Sequence, residues 1–182
     1  VLLSPYTKLK AIIYQLRAYF YRAREGPADA ARAAAEAAEL DQSTNLLRKA
    51  GQMAFNAGNA ESRDGQKSAY YESALSYYEI LCGRSSSSYE DCLNRALVLR
   101  ALGRYQESND RLNEMKEQYP DDYAILMWMC YNYLDEAAVE QNYAEIQGDL
   151  SFCYSSCRYL YDRQNGEDQE MESLIEIMNE LE

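Results

Sequence analysis

A spacing of 34 residues recurs along the middle of the chain and constrains its fold more than any other feature. Small and large apolar residues return at the same offsets after 34 positions. Repeats of this length are typical of helical hairpins that stack on one another, because each hairpin buries its apolar face only against its neighbours. The matching pairs are Tyr71 and Tyr105, Ala74 and Ser108, Tyr78 and Leu112, Leu81 and Met115, and Ala96 and Cys130.

The clearest repeat unit spans residues 89–122 and contains two helical patterns. The first pattern places small Ala96 among apolar residues, the turn contains Gly103 and Tyr105, and Pro120 follows the second pattern. This unit resembles a tetratricopeptide repeat, in which a small residue sits where two helices cross closely. The resemblance extends over about residues 11–164, with further units at 11–43, 44–88 and 123–164.

The resemblance implies an all-α fold, a right-handed superhelix of antiparallel helical hairpins in a single domain, 1–182. Residues 167–182 form an amphipathic pattern with Met171, Leu174, Ile175, Met178 and Leu181 on one stripe. A C-terminal helix that covers the end of the array is the expected structure. The alternative is that this acidic helix docks in a groove of another copy, so a homo-oligomer remains open.

Composition limits the classes of function. The chain of 182 residues has a formal net charge of −12, which argues against binding to a nucleic-acid backbone. It contains no histidine and no glycine-rich phosphate loop, so we expect no enzymatic activity and no cofactor. It also lacks an apolar run long enough for a transmembrane helix, so direct membrane insertion is not expected.

Five cysteines lack the spacing of a disulfide framework, and free buried thiols are the expected state. Cys153 and Cys157 share a helical face, but without histidine or a second pair they do not predict a metal site. Reduced thiols favour the cytoplasm without establishing it. Because the chain begins with Val1, it is compatible with a piece of a longer protein, and localisation stays open.

Tetratricopeptide-like arrays are protein-binding scaffolds whose first helices line a concave groove. At the corresponding positions this chain has arginine, glutamine and tyrosine side chains. Arginine pairs carboxylates through two hydrogen bonds, so the groove is predicted to bind a protein or peptide, with an acidic segment favoured. The alternative is that each arginine pairs with a carboxylate of its own scaffold. The predicted groove residues are Gln15, Tyr19, Arg22, Arg48, Gln52, Arg100 and Tyr131.

The function predicted from the sequence is a non-catalytic scaffold for protein–protein interaction. The alternative is a regulatory or sensor portion of a larger bacterial signalling protein, such as a serine/threonine kinase or a transcription regulator.

Overall fold

The computed structural model describes residues 5–24, 26–140, 143–164 and 167–181, and within these ranges the chain is helical and contains no strand. The all-α prediction is therefore confirmed for the described residues. The helices are α1 (Pro5–Arg24), α2 (Pro27–Leu40), α3 (Thr44–Ala60), α4 (Asp64–Cys82), α5 (Tyr89–Ala101), α6 (Tyr105–Gln118), α7 (Tyr123–Glu140), α8 (Tyr143–Arg163) and α9 (Gln169–Leu181).

Local sequence explains where several helices begin. Pro27 opens α2, where its missing N–H costs no hydrogen bond, and Gly26 before it has a φ of 108°. Ser88 caps α5 by accepting a hydrogen bond from the Asp91 backbone N–H, while the Asp91 carboxylate accepts one from the Ser88 N–H. Gly103 supplies the turn before α6 with a φ of 73°, which a side chain would disfavour.

The chain falls into two compact units, Val1–Leu102 and Gly103–Glu182, here called the first and second units. The first unit contains α1 to α5, and each helix packs against the next along the chain. Alanines dominate the packing of α2, whose residues Ala30, Ala31, Ala33, Ala34, Ala37 and Ala38 are all buried. Such small side chains let α2 pack between α1 and α3.

Two glycines in α3 let tyrosines of α4 come close to the α3 backbone. A Cβ built on Gly51 would lie 3.1 Å from the Cε2 and Cζ atoms of Tyr78. A Cβ on Gly58 would overlap the ring of Tyr71, whose hydroxyl donates a 2.8 Å hydrogen bond to the Asn59 Oδ1. The α3–α4 contact therefore depends on the absence of side chains at positions 51 and 58.

The second unit contains α6 to α9. Helix α7 packs against α6, α8 and α9, and its residues Ile125, Leu126, Met127 and Cys130 are buried. Buried Asn132 of α7 donates hydrogen bonds to the Ser108 Oγ at 2.9 Å and to the Asn109 Oδ1 at 2.7 Å. These polar contacts fix α6 against α7 in one register.

Each predicted repeat unit contains two helices of the structure or most of them. Residues 11–43 contain most of α1 and all of α2, 44–88 contain α3 and α4, 89–122 contain α5 and α6, and 123–164 contain α7 and α8. The superhelical arrangement and the single-domain organisation stay predictions.

Candidate functional site

The predicted groove residues lie on four helices. Gln15 on α1 and Arg100 on α5 are half-buried, and Gln52 on α3 is exposed. The side chains of Tyr19 and Arg22 lie outside the described residues. Tyr131, on α7, belongs to the second unit. A binding role for these residues stays a prediction.

Arg48 forms a two-point ion pair inside the first unit. Its Nε and Nη2 donate to the two carboxylate oxygens of Asp91, at 2.7 and 2.6 Å. The Asp91 side chain is 1% exposed, whereas that of Arg48 is 38% exposed. Arg48 thus pairs with a carboxylate of its own scaffold, which is the alternative that the sequence left open.

The pair shifts the pKa values of the groups around it. The hydrogen bonds from Arg48, helped by those from Ser88, hold the pKa of Asp91 below its ordinary value of 3.8. Burial, together with the Asp91 charge, raises the pKa of Tyr78 to about 12. Asp91 was absent from the predicted site. The sequence did carry a signal for it, because a serine with a carboxylate three residues later, here Ser88 and Asp91, is typical of a helix-capping box.

Two of the five cysteines form a disulfide, so the expectation of free thiols was wrong for Cys82 and Cys92. Their Cα atoms are 5.1 Å apart, across the loop that joins α4 to α5. Cys92 lies in the first turn of α5, facing the end of α4. The disulfide and the Arg48–Asp91 pair both anchor that turn.

The other three cysteines are free and buried, as expected. The Cys153 thiol donates to the Leu126 carbonyl oxygen, and the Cys157 thiol donates to that of Tyr123. Burial raises the pKa of Cys157 to about 12, so its thiol stays protonated near neutral pH. Both cysteines thus belong to the packing of α8 on α7. Within the described ranges, no group of three histidine, cysteine or acidic side chains is placed to hold a metal ion.

Tyr131 contacts the C-terminal helix. Its hydroxyl donates a 2.7 Å hydrogen bond to the Glu170 carbonyl oxygen in the first turn of α9. Met171, Leu174 and Met178 of the predicted stripe are buried, Ile175 is half-buried, and the side chain of Leu181 lies outside the described residues. Helix α9 therefore packs its apolar side within its own unit.

Replacing Tyr131 by phenylalanine should lower the free energy of unfolding by about 1 kcal/mol, because one hydrogen bond to α9 is lost while the ring remains. Urea unfolding of Tyr131→Phe measures this change. Tyr159→Phe, at an exposed tyrosine of α8, is the matched control and should unfold like the wild type. An equal loss of unfolding free energy in both variants would contradict a specific role for the Tyr131 hydroxyl.

An uncovered apolar surface runs along α1. Leu9, Ile12, Ile13 and Leu16 are 56, 52, 44 and 54% exposed, and their spacing places them on one side of the helix. On the opposite side, Ala11 and Ala18 are buried. We call the four exposed residues the α1 apolar face. Their helical spacing was visible in the sequence, but the spacing alone did not show which side of α1 stays exposed.

Each unit also has an open cleft between helices. The first-unit cleft, between α2 and α4, has a volume of about 350 Å³, and the second-unit cleft, between α6 and α8, about 420 Å³. Aromatic side chains lie beside small or apolar ones in both, as in surfaces that accept a partner's side chain. Tyr70 and Tyr77 line the first cleft, and Phe152 and Tyr159 line the second.

No protein-family model matches this chain, and no curated protein is significantly similar to it. None of the described helices combines the length and hydropathy that a membrane-spanning segment requires.

Proposed function

We infer that the chain is a non-catalytic scaffold for protein–protein interaction, built from tetratricopeptide-like hairpins in a right-handed superhelix. The α1 apolar face carries this proposal. Four large aliphatic side chains, each about half exposed and adjacent on one helix, form a contiguous patch that is costly to leave in water. A protein partner that covers this patch removes the cost.

Two further observations support the proposal. The described part of the chain is helical, as a hairpin array requires, and the family that the sequence resembles consists of interaction scaffolds. The net charge of −12 disfavours nucleic acid as a partner. The concave groove is a second candidate surface, to which Gln15 and Gln52 would contribute. Arg48 is less suited to binding, because its guanidinium is already committed to Asp91.

Affinity capture with the intact chain tests the proposed function. The double variant Ile12→Gln/Leu16→Gln removes the centre of the α1 apolar face while keeping helix-forming residues. We expect it to lose at least roughly tenfold of the bound partner that mass spectrometry identifies with the wild type. Ile80→Gln, at an exposed isoleucine of α4, is the matched control and should retain the partner.

A further variant separates the two candidate surfaces. Gln15→Glu/Gln52→Glu adds negative charge to the predicted groove without breaking the Arg48–Asp91 pair. Loss of the partner in this variant alone would move the binding site to the groove. If the folded wild-type chain retains no protein partner after buffer washes, the scaffold proposal fails.

A further inference from the structure

The α1 apolar face lies on the most basic helix of an acidic chain. The sequence of α1 carries five lysines and arginines and no acidic residue, although the whole chain has a net charge of −12. Lys8 and Lys10 are both exposed, and they neighbour Leu9 in the chain. The surface offered to a partner is therefore an apolar ridge with positive charge beside it.

The shape of the ridge favours a helical partner. Leu9 and Leu16 are seven residues apart, so the ridge runs for about 10 Å along the helix axis. Backbone N–H and C=O groups in the middle of α1 are used within the helix, so an extended peptide could not add to them as a strand. A partner must pack side chains between side chains, and a second helix with apolar residues at the same spacing does this.

Charge distinguishes between the helices that could pack there. Two copies of α1 packed face to face could form no ion pair with one another, because α1 contains no acidic residue, so charge does not favour self-association through this surface. The acidic helix α9 has suitable charge, but Met171 and Leu174 on its apolar side are already buried in the second unit. An acidic helix from another protein meets both the apolar and the electrostatic requirement.

We propose that the α1 apolar face binds an amphipathic helix of a partner protein whose apolar stripe is flanked by aspartate or glutamate. This proposal rests on the proposed scaffold function and specifies the partner chemistry for the same surface. Lys8 and Lys10 select the sign of the partner's charge, and Leu9, Ile12, Ile13 and Leu16 supply the contact area.

Two synthetic peptides of roughly 20 residues test the proposal with the full chain. Both carry leucines at helical spacing, and their remaining positions are mainly glutamate in one and mainly lysine in the other. Fluorescence anisotropy should show the acidic peptide binding at least roughly tenfold more tightly than the basic one. Ile12→Gln/Leu16→Gln should lose binding of the acidic peptide, and Ile80→Gln should keep it.

Charge reversal provides the decisive comparison. Lys8→Glu/Lys10→Glu leaves the apolar ridge intact. It should weaken binding of the acidic peptide and strengthen binding of the basic one. Circular dichroism confirms that each variant keeps its helical content. Equal affinity for the two peptides, or unchanged preference after charge reversal, would overturn the proposal.

Two other occupants have their own readouts. One is a lipid surface. The wild type would then bind phosphatidylcholine vesicles that contain phosphatidylserine but neither peptide, and Ile12→Gln/Leu16→Gln would lose the vesicle binding. This result would overturn the proposal. Sedimentation showing a wild-type dimer that this variant converts to monomer would assign the face to a second copy, with the same consequence. If capture succeeds but the acidic peptide fails, the scaffold function stands and the partner chemistry proposed here is wrong.

Discussion

Gly51→Leu should disrupt the packing of α3 on α4 and remove the cooperative thermal transition of the first unit. A Cβ at position 51 already lies 3.1 Å from two ring atoms of Tyr78, which is buried, and leucine adds three further carbons. The helices must separate or Tyr78 must leave the core. Overpacking of this kind costs about 3 kcal/mol or more, a large share of the stability of a small protein. Thermal unfolding followed by circular dichroism measures the loss.

Gly65→Leu is the matched control for this change. Gly65 lies in α4, and a Cβ there would have no atom within 4 Å. Leucine forms helix better than glycine by roughly 1 kcal/mol, so Gly65→Leu should leave stability unchanged or raise it. An unchanged melting curve for Gly51→Leu would show that α3 and α4 do not pack in this register.

Arg48→Met should destabilise the first unit by about 3 kcal/mol, because it leaves the buried Asp91 carboxylate without its guanidinium partner. Methionine preserves most of the length of the side chain, so the effect isolates the charge. Chemical denaturation measures the change. In the double variant Arg48→Met/Asp91→Asn no buried charge remains, and part of the lost stability should return.

The same pair predicts how the effect varies with pH. Because the folded-state pKa of Asp91 lies below its ordinary value of 3.8, the pair stabilises the fold above that value. The contribution is lost as the pH falls through the lower folded-state pKa. The stability difference between wild type and Arg48→Met should therefore shrink as the solution is acidified from about pH 7 to below about pH 3. A difference independent of pH would argue that packing of the Arg48 stem, not charge, is responsible.

The sequence predicted helix type and position well because both depend on local periodicity. The Gly103 turn and Pro120 marked ends that the structure places within a few residues. Within residues 44–88, three residues separate α3 from α4 and a six-residue loop precedes α5.

The candidate surfaces were harder to predict because they depend on contacts distant in sequence. Arg48 and Asp91 are 43 residues apart, and no periodic pattern links them. Leu9, Ile12, Ile13 and Leu16 have the spacing of a core stripe, and only the packing of Ala11 and Ala18 against α2 shows that the larger side chains stay outside. The repeat pattern thus predicts which residues are helical better than which helical face is free.

The Cys82–Cys92 bond closes a covalent ring that contains the exposed Ser85, Ser86 and Ser87. A protease that cuts once at these serines opens the ring but releases neither piece, because the sulfur bridge still joins α4 to α5. A single cut at exposed Ser62, outside the ring, divides the chain into two separate polypeptides. The two exposed connections therefore differ in what a single cleavage does to the continuity of the molecule.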